Sequence, residues 1–195
     1  MDPARSQHDR ACRAIHRILA EINERRDRGD FAGMARLFSR ASFRTVYPGV
    51  EGGDVGHGTQ RGEAEITAGF EAMVRTYGGD PRAAYLTTNT QIEVSPDATT
   101  ATARSVYLVL QQVPAELDPV GAGFGLQPVS AGRYADRFEL VGGEWWIVER
   151  VIVADFTGDR SRHMRLDPVD YGRAFVAGTT QPEAEAAEPP GRGGG

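Results

Sequence analysis

The chain has no lysine: all 22 of its basic residues are arginine. A phosphate-binding loop of the Gly-Lys-Ser/Thr kind is thereby excluded, as are Schiff-base and pyridoxal chemistry, each of which needs a lysine amine. Cysteine is nearly absent too. Cys12 stands alone, so neither an internal disulfide nor a cysteine zinc cage is available. The four histidines, His8, His16, His57 and His163, are scattered, and there is no His-Glu-x-x-His run. No metal site is expected from them. Apolar runs extend only a handful of residues, far short of the ~20 that span a bilayer. The 27 acidic side chains set a net charge of −5, and no basic stripe of the kind nucleic acid needs is present. The polar start, Met1–Arg10, gives no secretory pattern. We therefore expect a cytoplasmic protein with neither a membrane nor a nucleic acid as partner.

What is present points to α+β. The 195 residues suit one domain with a tail. Ala11, Ile15, Ile18, Leu19 and Ile22 recur at three- and four-residue steps, which predicts an amphipathic helix over Gln7–Arg28 with arginines and glutamates on its other face. Gly29 ends it and Asp30 caps a second short helix carrying Phe31, Met34, Leu37 and Phe38. Ser42–Tyr47 alternates as a strand, and Pro48–Gly62 is a glycine-rich loop. A third helix is predicted over Glu63–Tyr77. The period then changes to that of strands, over Tyr85–Val94, Thr100–Val113, Gly132–Leu140 and Glu144–Ala154, the last two joined at Gly142-Gly143. Pro114–Ala131, with Phe124 among three glycines, reads as a long loop and a candidate lid. Asp155–Asp170 reads as a charged surface connection. Residues 1–177 are expected to form the domain and 178–195, rich in Pro, Glu, Ala and Gly, a disordered tail.

The chemistry-bearing signal is polar side chains at strand positions that should be buried. Tyr134, Asp136, Phe138 and Leu140 share one strand face, so Asp136 sits among apolar neighbours and needs a partner or a raised pKa. Two registers are open. A two-residue turn carries Asp136 opposite Glu149, and paired carboxylates keep one proton; a three-residue turn carries it opposite Arg150, as an ion pair. The tightness of a Gly-Gly turn favours the first. Tyr47, Tyr85, Tyr107 and Tyr134 all fall on predicted strands, a set that suits an apolar pocket with a few hydroxyls. Asp27 ends the first helix, where a carboxylate opposes the macrodipole. Asp159, Ser161 and His163 look like a triad only on paper, because alternate residues on one turn do not reach that geometry.

These residues resemble the SnoaL-like family of the nuclear transport factor two superfamily. The resemblance rests on Asp27-Arg28-Gly29-Asp30-Phe31 after the first helix, on Thr87-Thr88-Asn89 with Gln91-Ile92-Glu93-Val94, and on Ala101–Ser105. It rests also on Gly132–Phe138 and on Gly143-Glu144-Trp145 with Glu149, Arg150 and Asp155. It implies a cone-shaped domain, three N-terminal helices packed on a curved, mostly antiparallel sheet around a pocket, and a homodimer. The family's scytalone dehydratases, ketosteroid isomerases and polyketide cyclases work without cofactor. By resemblance to scytalone dehydratase, Asp27 matches a catalytic aspartate and Tyr47 a substrate-binding tyrosine, and Tyr85 stands where a catalytic histidine is usual.

The expectation is a cofactor-free dehydratase, isomerase or cyclase acting on a hydrophobic cyclic, polyketide- or steroid-like substrate. Asp27, Tyr85, Asp136 and Arg150 are the expected catalytic residues, and Tyr47, Asn89, Tyr107 and Tyr134 the expected substrate-binding ones. The alternative is a non-catalytic binding or dimeric accessory module. Two or more of Asp27, Tyr85, Asn89, Asp136 and Arg150 at one empty volume would favour the enzyme.

Overall fold

The apolar stripe of the first helix decides where everything else packs. In the computed structural model, which describes residues 3–49, 58–112 and 125–166, this helix is α1 (Pro3–Asp27). Ile15, Leu19 and Ile22 are fully or almost fully buried, and Arg26 continues the same spacing to a buried position. The arginines are therefore not all on the solvent face. Gly29, at φ +74°, closes α1 with its N–H on the Arg26 carbonyl, and the Asp30 N–H reaches the Arg25 carbonyl. Only glycine adopts that left-handed angle at little cost. Asp30 then caps α2 (Phe31–Leu37), its Oδ1 accepting the Gly33 N–H at 2.8 Å. The third helix, α3 (Gly62–Met73), stops four residues short of the predicted Tyr77, and α2 packs on α3.

Six strands follow the order β2-β1-β6-β5-β4-β3: β1 (Ser42–Val46), β2 (Gln60–Arg61), β3 (Ala83–Val94), β4 (Thr100–Gln112), β5 (Leu126–Val141) and β6 (Glu144–Thr157). Every pair is antiparallel except β1 with β6. The helices cover one face. Phe31, Phe38, Phe43 and Phe70 interlock there, with ring centroids 5.5–5.8 Å apart, against Phe138, Ile147 and Ile152 from the sheet. The predicted α+β layout of three helices on a mostly antiparallel sheet is the observed one. No helix among the described residues is long and apolar enough to cross a membrane.

Two expectations about strand extent are corrected. β5 begins at Leu126, inside the predicted loop, because Leu126–Pro128 pairs with Leu110–Gln112 at the end of β4. β6 runs on to Thr157, so the predicted surface connection starts as strand. The rest of the candidate lid, His57 and the 177/178 boundary with its tail lie outside the described residues.

The register of Asp136 is also corrected. Gly142 and Gly143 do form a two-residue turn, with Val141 paired to Glu144 and Leu140 to Trp145. A bulge then intervenes: Phe138 pairs with Ile147 but Arg137 with Glu149, leaving Val148 as the extra residue. The register slips by one, and Asp136 meets Arg150 rather than Glu149.

Candidate active site

Between the helices and the sheet lies a cavity of about 90 Å³. Its walls are mostly apolar and aromatic, from Phe43, Phe70, Val109 and Ile152, and its polar groups converge from four elements. α1 supplies Arg26, β3 Tyr85, β5 Tyr134, and the turn after β6 supplies His163. Tyr47 and Tyr107 also line it. Of the five residues set as the enzyme criterion, Tyr85 alone is a lining residue.

Tyr85 and His163 form the centre of the site. The Tyr85 hydroxyl lies 2.7 Å from His163 Nε2, both residues being buried. The other ring nitrogen, Nδ1, is 2.8 Å from Gln111 Oε1. Gln111 fixes the tautomer. Its Nε2 donates to the Pro81 and Gln112 carbonyls, at 3.1 and 3.0 Å, so the side-chain oxygen is what faces the imidazole. A carbonyl oxygen only accepts, hence Nδ1 carries the proton and Nε2 offers its lone pair to the Tyr85 O–H. Burial, helped by the nearby Arg26 cation, lowers the His163 pKa to about 4. The imidazole is thus neutral near pH 7. Burial likewise pushes the Tyr85 hydroxyl well above the usual tyrosine range, against the opposing pull of Arg26.

His163 arrives by a strap. Its carbonyl accepts the Arg75 N–H at 2.9 Å, the Arg165 N–H donates to the Met73 carbonyl, and Tyr77 O–H donates to the Arg162 carbonyl. These bonds fasten the turn after β6 onto the end of α3. Asp159 only closes that turn, accepting the Ser161 N–H, so no triad forms.

Arg26 is 3 % exposed. Its Nη2 donates to the Tyr134 hydroxyl at 2.9 Å, and its guanidinium lies 3.7 Å over the Tyr85 ring. Tyr134 stacks on Tyr107 at 4.6 Å, and the Tyr107 hydroxyl sits 3.0 Å from Ser130 Oγ.

The remaining expected site residues stand elsewhere. Asp136 and Arg150 are not cavity-lining residues: they form a two-point ion pair, at 2.8 and 2.7 Å, sealed in the core. Its guanidinium backs the Tyr134 ring at 4.4 Å. Asp27 is half-buried outside the lining, and its Oδ1 accepts the Tyr85 backbone N–H at 2.9 Å. Burial raises its carboxyl above the usual range, although that N–H and Arg26 pull it down. Asn89 is exposed on β3 at φ +52°, in the irregularity between Thr88 and Gln91. Asparagine tolerates the left-handed angle a bulge demands, and this accounts for its place.

Arg26, Gln111 and His163 were missed as site residues. The first two had a signal. Arg26 lies four residues beyond Ile22 on the buried stripe, and Gln111 shares the alternation of Tyr107 and Val109. His163, in a run of arginines outside any repeat, had none.

A SnoaL-like domain model matches residues 8–151. Among curated proteins, none matches the chain. Solved structures with the same fold include a variant of Rv3472, a function-unknown protein of Mycobacterium tuberculosis. It is 20% identical, with TM-score 0.59, covering 91% of this chain and 92% of that one. Two more come from Novosphingobium aromaticivorans. One is an NTF2-like protein with a cystatin-like fold, 18% identical, TM-score 0.58, covering 82% and 90%. The other is a scytalone dehydratase-like protein, 20% identical, TM-score 0.55, covering 79% and 90%. At these identities the likeness is one of fold, and the family rests on the domain model spanning most of the chain: the protein belongs to the SnoaL-like domain family.

Proposed function

We propose that the cavity catalyses proton transfer on a small, largely apolar cyclic substrate without a cofactor, in the manner of a dehydratase, isomerase or cyclase. The observation that carries this reading is the 2.7 Å contact between the Tyr85 hydroxyl and a neutral His163 inside the cavity. As the Tyr85 oxygen takes a proton from a carbon next to a carbonyl, its own proton passes to His163 Nε2. The electron pair of the broken C–H bond moves onto the carbonyl oxygen as an enolate. The Tyr134 O–H, whose oxygen already accepts from Arg26, donates to that oxygen. Return of the proton to another carbon gives an isomer, and loss of a leaving group gives a dehydrated product. Gln111 holds the tautomer, and Asp27 acts as a positioning residue through the Tyr85 N–H. Asp136 and Arg150 have no part in the step and serve to hold the ring of Tyr134.

The volume limits the substrate. At about 90 Å³ the cavity is smaller than the roughly 150 Å³ that accommodates benzene. It takes the reacting edge of a ring, so a polyketide- or steroid-like scaffold extends beyond it. Deuterium uptake from D2O into cyclohexanone and 2-tetralone, followed by proton NMR, tests the reading. Uptake above the buffer rate that falls by 10²–10⁴ in Tyr85→Phe is expected. A Tyr85→Phe variant as active as the parent would end it. Of the five residues whose convergence would favour an enzyme only Tyr85 lines the cavity, and among the described lining residues there is no carboxylate; this favours a second reading, binding without turnover. Saturable binding with buffer-rate exchange would select that one.

The homodimer also enters as a proposal. Leu86, Leu108, Ala131 and Phe156 pair across four strands in one row, on the sheet face that carries no helix. Leu86 is 48% and Phe156 73% exposed. An apolar row of this kind is an interface for a second copy.

A further inference from the structure

We propose that the cavity recognises an anionic ligand, a small carboxylate, through Arg26 and Tyr134. This rests on the proton-transfer reading of the same cavity: Tyr134 has one proton to donate, so a bound carboxylate takes the place of the substrate's carbonyl oxygen. A buried arginine ordinarily has a carboxylate partner, because an isolated buried charge is expensive to desolvate. Arg150 obeys that rule with Asp136. Arg26 does not: among the described residues no carboxylate pairs with it. One of its five N–H donors is engaged, on Tyr134, and Nε is buried with no partner. The cation is held over the Tyr85 ring, with its head at the cavity wall.

The surroundings add to this. Among the described residues, no acidic side chain lines the cavity beside Arg26. The Arg26 guanidinium meets the cavity against apolar walls, where the low dielectric strengthens its attraction to an anion. Tyr134 accepts from Arg26, which leaves its own proton to donate. A carboxylate set between the two receives a charge-assisted bond from Arg26 and a hydroxyl bond from Tyr134. A neutral amide of the same shape lacks the charge and places an NH2 against one of these donors.

Isothermal titration of the full chain with crotonate and propanoate, each against its amide, tests the inference. Both acids fit the cavity's scale. The carboxylate should bind at least tenfold more tightly than the amide, and Arg26→Met should abolish the preference while Arg26→Lys keeps part of it. Because Arg26→Met removes a buried contact to two aromatic rings, its fold is checked by circular dichroism, and the acid-to-amide ratio of the unmodified chain decides independently. Equal affinity for acid and amide, or no saturable binding of either acid, overturns the proposal. Deuterium exchange that persists under that result leaves the proton-transfer reading standing. Carboxylate binding with no exchange removes that reading and leaves this one.

Discussion

At the residue scale, the site depends on one neutral imidazole. The sign of its pH effect follows from its lowered pKa, about 4 against an ordinary 6.5. Above about pH 6.5 both folded and unfolded chains hold His163 neutral, and the stabilisation is fully present. As the pH falls toward 4 the unfolded chain takes up the proton first and the stabilisation is lost, by about 3 kcal/mol in all. Urea midpoints at pH 7 and pH 4.5 should therefore separate more in the parent than in His163→Gln; equal separation would show that His163 is not the buried neutral group described. Side chains within regular elements were legible from sequence to different degrees. Tyr85, Tyr107 and Tyr134 line the cavity, as do Arg26 and, after β1, Tyr47, and the helical stripe that carries Arg26 was already visible. His163 was illegible because its neighbours, Tyr85 and Gln111, are 78 and 52 residues away in sequence.

At the scale of elements, periodicity located the helices and strands, and pairing irregularities escaped it. Val148 shows why. Trp145–Ala154 is apolar on both faces apart from Glu149 and Arg150, so an inserted residue leaves no break in the pattern. The bulge nonetheless changes the chemistry, turning a carboxylate pair into the Asp136–Arg150 ion pair. That pair is a structural element of the core. Arg150→Met leaves the Asp136 carboxylate buried without its partner, which costs about 3–5 kcal/mol. Replacing both residues by apolar ones of similar volume should restore much of it. Thermal or urea unfolding of the single and double variants measures this, and a single variant as stable as the parent would contradict the buried pairing. The exposed Asn89 teaches the same lesson on β3: a family position that suggested a ligand contact is spent on a backbone irregularity.

At the scale of the whole molecule, α1, the sheet and the turn after β6 all bring polar groups to a shared cavity, and the opposite sheet face carries an apolar row among its charged residues. If that face joins two copies, Phe156→Asp places a charge at the most exposed end of the row. Light scattering should then report a monomer where the parent is a dimer, whereas a monomeric parent would remove the interface. The fold was legible because helices and strands are written in local periods, while the Tyr85–His163 contact in the cavity joins segments that no local period connects. The most direct test of the central claim is the pH profile of deuterium uptake into cyclohexanone by the parent and by His163→Gln. The parent rate should hold level from pH 8 to about 5 and fall as the pH drops through about 4, where His163 takes up its proton, and His163→Gln should lose most of the rate at every pH. A His163→Gln variant that exchanges at the parent's rate would contradict the account.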